Sequence, residues 1–143
     1  MKKKRLLPVA KKAENIATMM QRLVRLKAAD DDGFCRCITC GKIRQWNDGM
    51  QGAHFFSRGR LSTKLTIENC HPACAGCNKF VHHTTSGILE YRRYMIDMIG
   101  EDGLDELEAQ SRLTKKFTHD ELDDIRADYA AQIKHHEKRI GVR

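Results

Sequence analysis

The chain is poor in aromatic residues, which make up 6% of its 143 positions. With 31% charged residues beside them, a large hydrophobic interior is excluded, and something besides a core has to hold the middle together. No stretch approaches the roughly 20 apolar residues that cross a bilayer, so no membrane span is expected. The opening MKKKRLLPVAKKAEN starts basic, but charge soon interrupts its apolar run, so it does not read as a secretory signal. Internal repeats and low-complexity segments are lacking. Acidic residues are almost missing from the front: residues 1–29 carry nine Lys/Arg and one acid, Glu14. Residues 33–100 carry nine bases against four acids, and from 101 onward eleven acids exceed eight bases. A basic front and an acidic rear, within a net charge of +7, point to a polyanion-binding face.

Length allows one domain, read here in four segments. Residues 1–9 are a disordered basic arm. Residues 10–32 hold an amphipathic helix, with Ile16, Met19, Met20, Leu23 and Leu26 on one face and Lys/Arg on the other. That basic face either contacts DNA or is simply solvated. Residues 33–100 hold all six cysteines among short strands and loops that close on a helix. Residues 101–143 form a helical extension, ending in a helix opened by the capping box Thr118-His119-Asp120-Glu121 and striped by Leu122, Ile125, Tyr129 and Ile133. The stripe either packs on the domain or pairs with a second copy as a homodimer. The fold class is α+β, mostly helical.

Six cysteines without a secretory signal favour metal over disulfides. Cys37-Ile-Thr-Cys40 and Cys74-Ala-Gly-Cys77 are two C-x2-C knuckles separated by 33 residues. Such spacing lets both sulfurs of a knuckle reach one ion while intervening amides hydrogen-bond the thiolates, and two knuckles complete the tetrahedral shell of a structural zinc. Cys35 and Cys70 are left over, as buried free thiols or substitute ligands.

Between the knuckles lie Gly52-Ala53-His54-Phe55 and Glu68-Asn69-Cys70-His71, and Asn78 follows the last cysteine. The order of cysteine pair, histidine, asparagine, cysteine pair and polar residue resembles the HNH (His-Asn-His, ββα-metal) nucleases. The resemblance implies a zinc-stapled ββα-metal core, with His54 as general base, Asn69 as the brace of the loop and the base, and Asn78 as ligand of a catalytic Mg2+ or Mn2+. Phosphodiester hydrolysis suits these types: imidazole is a base near neutrality, and a hard divalent ion takes oxygen donors. Where many members carry an acid just before the base, this chain has Ala53, so a second ligand is sought in His54 itself, His71, His82 or His83, with His71 best placed. His82 and His83 could equally be solvated loop residues.

The run from Cys37 onward further resembles the phage NinG/Rap recombination endonucleases: Cys-x-x-Cys-Gly, then Gly-Ala-His, Glu-x-Asn-x-His-x-x-Cys-x-x-Cys-Asn, Ser86-Gly87, Tyr91-Arg92 and Ile99-Gly100. That resemblance implies a structure-selective enzyme cutting branched recombination intermediates, Holliday junctions and D-loops, in the cytoplasm of an infected bacterium, alongside phage or host recombination proteins. The family reads Ser-Gly-Asn where this chain has Ser86-Gly87-Ile88, and the stretch from Asn78 to Ser86 is a few residues longer. Arg58, Arg60, Lys64, Lys79, Arg92 and Arg93 are the expected phosphate contacts, which Lys42 and Arg44 could extend. Two rival readings remain: a non-catalytic zinc module binding DNA or a recombination protein, and a less selective HNH nuclease.

Overall fold

A computed structural model describes residue 2 and residues 5–142. The order of elements is α1 (Val9–Ala28), β1 (Phe34–Arg36), β2 (Ile43–Gln45), β3 (Met50–His54), α2 (Leu61–Lys64), β4 (Cys70–Cys74), α3 (Ala75–Lys79), α4 (Thr85–Ser111) and α5 (His119–Ile140). Short 3-10 turns at Ile67–Asn69 and Val81–His83 precede β4 and α4. The chain is thus α+β and mostly helical. Most of the basic arm lies in the irregular residues 5–8 or outside the described ones, and its last position, Val9, already starts α1.

α1 is the central element. Its stripe buries Ile16, Met20, Leu23 and Leu26 almost completely, each worth about 1.5–3 kcal/mol relative to exposure. The helix packs on α5 and on the β3–β4 hairpin, so both ends of the chain close over the middle. Several of its cations serve this packing. Arg22 pairs with Glu137 at 2.6 Å and lies over the Trp46 ring, Arg25 donates to the carbonyls of Trp46 and Met50, and Lys12 pairs with Asp123 at 2.6 Å. α1 reaches the hairpin because residue 52 is glycine: a Cβ there would lie 2.8 Å from the Gln21 backbone.

Two two-stranded antiparallel sheets, β1–β2 and β3–β4, position the cysteines, with Cys35 on β1, Cys37 and Cys40 in the turn after it, Cys70 and Cys74 on β4, and Cys77 on α3. β3 pairs with β4 from Met50 opposite Cys74 to His54 opposite Cys70, and α3 follows at once. α4 is two helices joined at Gly100, which takes φ 75° and ψ 167°. α5 starts as the sequence indicates, with Thr118 Oγ1 accepting from the Glu121 amide at 3.2 Å. The capping box is only half made, because the Glu121 carboxylate turns to Lys115 instead. The α5 stripe is spent within the chain: Leu122 and Tyr129 are buried with α1 residues, and the Tyr129 hydroxyl donates to the Leu65 carbonyl.

Candidate metal and active site

The sulfurs of Cys37, Cys40, Cys74 and Cys77 lie within 4.8 Å of one another. A tetrahedron with metal–sulfur bonds of about 2.3 Å has edges of about 3.8 Å, and Cys40 and Cys74 are separated by 3.8 Å. The knuckles meet because β4 delivers Cys74 to the start of α3, where its sulfur accepts from the Cys77 amide at 3.5 Å. Cys37 follows β1, one residue beyond its end. Burial pushes the Cys37 thiol up, but amide donors from Cys40, Cys74 and Thr39 bring it down to about 7. Burial and the three neighbouring sulfurs push Cys77 well up. Four thiolates this close repel unless a cation sits among them, so these four cysteines could hold a metal such as zinc. Cys35 and Cys70 stand apart from the cluster, both buried, their thiols raised by burial to about 11 and about 12.

His54 ends β3, partly buried, and its Nε2 lies 2.9 Å from the Lys64 carbonyl. A carbonyl only accepts, so Nε2 carries the proton and Nδ1 presents its lone pair. No described residue hydrogen-bonds Nδ1. Burial holds this imidazole below the usual histidine range; the Arg58 and Lys64 charges lower it further, while the Lys64 carbonyl and Glu14 oppose the shift.

Asn69 is fully buried between the 3-10 turn and β4. Its Oδ1 accepts from the Phe56 amide at 2.8 Å, and its Nδ2 donates to the carbonyls of Phe56 and Thr63 at 3.0 and 3.1 Å. One side chain therefore clamps both ends of the loop that carries Arg58 and Arg60. It reaches His54 only through that loop, whose next residue after Thr63 supplies the carbonyl that holds the ring.

Asn78 lies on α3, where its Nδ2 donates to Gln51 Oε1 at 2.8 Å. Gln51 and His54 are three residues apart on β3, about 10 Å between Cα atoms. Strand alternation sends Gln51 and Ala53 to one face and Gly52 and His54 to the other. Asn78 and His54 thus flank one strand and share no described hydrogen bond. His71 stands opposite Ala53 with its Nδ1 3.4 Å from the Tyr91 hydroxyl, and burial, with Lys27 nearby, pushes it down to about 4. His82 Nε2 meets the Thr39 hydroxyl at 2.6 Å and its ring stacks on Tyr91, whereas His83 is exposed. Among the described residues, no three His, Cys, Asp or Glu converge outside the four-cysteine cluster. The oxygen donors beside Asn78 are carboxamides. They suit a hard ion, but without a carboxylate they would hold it only together with a phosphate.

The expected phosphate contacts divide into two sets. Arg58 and Lys64 both pair with Glu14 of α1, Lys64 at 2.5 Å with its side chain only 10% exposed. Arg60 donates to Ser111 Oγ at 3.0 Å and lies over the Phe56 ring. Lys79 and Arg92 are exposed, as is Arg93, which pairs with Glu90 at 2.7 Å on the helix surface. Lys42 and Arg44 are exposed on and beside β2. Gln51 and Glu14 were missed from sequence. Gln51 gives no chemical signal there. Glu14 gives one, as the sole acid among the first 29 residues.

No helix is long and apolar enough to cross a membrane among the described residues. No solved structure matches the chain. Protein ninG of Escherichia phage lambda is 26% identical over 117 residues, which cover 80% of this chain and 53% of the relative. Protein ninG of Salmonella phage P22 is likewise 26% identical over 117 residues, 80% of this chain and 54% of the relative. The chain spans about half the length of these curated relatives. The family described as bacteriophage lambda NinG protein matches residues 1–139. With nearly every residue inside that match, the chain belongs to the NinG family.

Proposed function

We propose that this protein is a metal-dependent DNA endonuclease of the ββα-metal (HNH) kind, acting on branched recombination intermediates in phage-infected bacterial cytoplasm. The observation that carries the reading is the His54 ring, fixed by the Lys64 carbonyl in the tautomer that leaves Nδ1 as a base. Support comes from the order β3, loop, β4, α3, with Asn69 clamping the loop and Asn78 opening onto β3. Zinc in the four-cysteine cluster would tie the turn between β1 and β2 to the junction of β4 and α3.

In the proposed reaction, His54 Nδ1 takes a proton from water as the water oxygen bonds to the scissile phosphorus and the bond to the leaving sugar oxygen breaks. Its lowered pKa keeps the ring neutral, and so able to accept, at pH 7. Asn78 and Gln51, about 10 Å back along β3 and on its other face, would offer their carboxamide oxygens to the DNA backbone that crosses the strand, once their mutual hydrogen bond opens. A Mg2+ or Mn2+ ion, where bound with the phosphate, would supply charge stabilisation to the reacting group. His71, down at about 4 and turned to Tyr91, stays neutral and remains a further donor candidate. Arg60, Lys79, Arg92 and Arg93 hold the backbone by charge and read no sequence. Arg58 and Lys64 join them only when phosphate displaces Glu14. A homodimer would need a surface other than the α5 stripe.

The test is a nicking assay with Mg2+ or Mn2+ on a four-way junction, a D-loop and linear duplex. Metal-dependent cutting of the branched substrates supports the reading; equal cutting of all three leaves a less selective nuclease. The lack of a carboxylate beside Asn78 favours one alternative, a zinc-held DNA-binding module, and binding without cutting would select it.

A further inference from the structure

Two residues beyond Asn78, the chain presents an aromatic ring to solvent. Phe80 is 65% exposed, at the junction of α3 and the 3-10 turn Val81–His83. A lone exposed phenylalanine is ordinary on a protein surface. The mounting of this one is not. Its amide donates to the Gly76 carbonyl at 2.9 Å, and its carbonyl accepts from the His83 amide at 3.1 Å. The turn it leads into is fastened on two sides. His82 is held by Thr39 of the first knuckle and stacked on Tyr91 with ring centroids 4.9 Å apart. The Val81 carbonyl accepts from the Thr84 hydroxyl at 2.7 Å and presses against Gly87, where a Cβ would lie 1.8 Å from that oxygen. A loop fixed this firmly keeps its apolar ring outside at a definite place.

The surroundings specify what the ring meets. Lys79 Nζ lies 5.4 Å from the Phe80 ring centroid. Val81 and Ile88 are exposed on the same short stretch of chain, with His83 exposed between them and Arg92 one turn past Ile88. An exposed aromatic ring with a lysine over one face leaves its other face for a nucleobase and its cation for the attached phosphate; a purely apolar protein contact would not call for the lysine. In intact duplex the bases are stacked and offer no free face. At a branch point they do.

We infer that Phe80 is a base-stacking residue that selects branched DNA, receiving an unpaired or splayed base at the branch while Lys79 and Arg92 hold the flanking phosphates. The inference rests on the DNA-binding part of the proposed function and does not need cutting.

The test uses zinc-loaded full chain without added magnesium or manganese, so that binding is read alone. Affinity for a four-way junction and for linear duplex is measured for wild type, Phe80→Ala and Phe80→Trp. The expected result is a loss of about tenfold in junction affinity for Phe80→Ala, with duplex affinity within about twofold. Phe80→Trp keeps the junction preference, and its extra emission over the wild-type Trp46 signal is quenched when the junction binds. Equal losses on both DNAs, no loss on either, no junction preference in wild type, or unquenched emission would each overturn the inference. Cutting that persists while junction binding ignores Phe80 sinks only this inference. Phe80-dependent junction binding without cutting sinks only the nuclease reading.

Discussion

The hairpin β3–β4 carries two constellations that differ in how complete they are. At its Met50–Cys74 end, four sulfurs lie within 4.8 Å of one another, so the protein alone assembles a metal shell. At its His54–Cys70 end, one imidazole is locked against a carbonyl, while the carboxamide pair Gln51–Asn78 lies three residues back along β3, next to the cysteine end and on the other face of the strand. The first needs only an ion. The second would need a phosphate as well as an ion, because neutral amides leave a divalent cation undercompensated. On the proposed reading, the structural centre comes ready-made and the chemical centre is completed by substrate.

If this contrast is right, damage at the two ends differs in kind. The largest effect is expected from Cys74→Ser, or from chelation of zinc. Either should abolish cooperative thermal unfolding, read by circular dichroism, since such sites supply much of the folding energy of small domains. A protein that melts normally without metal would contradict the structural role. Asn69→Ala comes next. It leaves the Phe56 amide and the Phe56 and Thr63 carbonyls short of a partner, so stability should fall by about 1–3 kcal/mol in urea unfolding, with cutting reduced as the loop loosens.

A pH profile of cutting sharpens the comparison further. The folded pKa of His54 lies below the usual histidine value, so its base form persists above about pH 6.5 and is lost only as pH falls through that lowered value. The rate should then hold near neutrality and drop about tenfold per pH unit only below that lowered value, while an acid limb that sets in above about pH 6.5 would contradict His54 as the base. The smallest effect is expected at Glu14→Gln. Releasing Arg58 and Lys64 should strengthen duplex binding a few-fold and steepen its salt dependence, by up to about two phosphate contacts. An unchanged salt slope would mean that those two cations serve the fold alone.

Legibility from sequence followed the range of each interaction. The stripe of α1, the Thr118 start of α5 and the two knuckles were readable because each is written in residues a few positions apart. The three-residue strands β1 and β2 carry no period long enough to read. Glu14 meets Arg58 and Lys64 across 44 and 50 positions, and Gln51 meets Asn78 across 27, so neither contact has a local signature. The result changes the site. Two cations expected to clamp phosphate have an internal partner, and Asn78 is joined by a second carboxamide where a histidine was sought. His71 and His82, sought as ligands for want of an acid before His54, both lie against Tyr91, His71 by a hydrogen bond and His82 by stacking.

The account turns on His54 as the group that activates water. Its most direct measurement is single-turnover nicking of a four-way junction by wild type and His54→Ala, each verified to bind zinc and to melt within a few degrees of the other. A loss of about 10²–10⁴-fold with junction affinity retained is the predicted result. Undiminished nicking by the folded His54→Ala protein would contradict it.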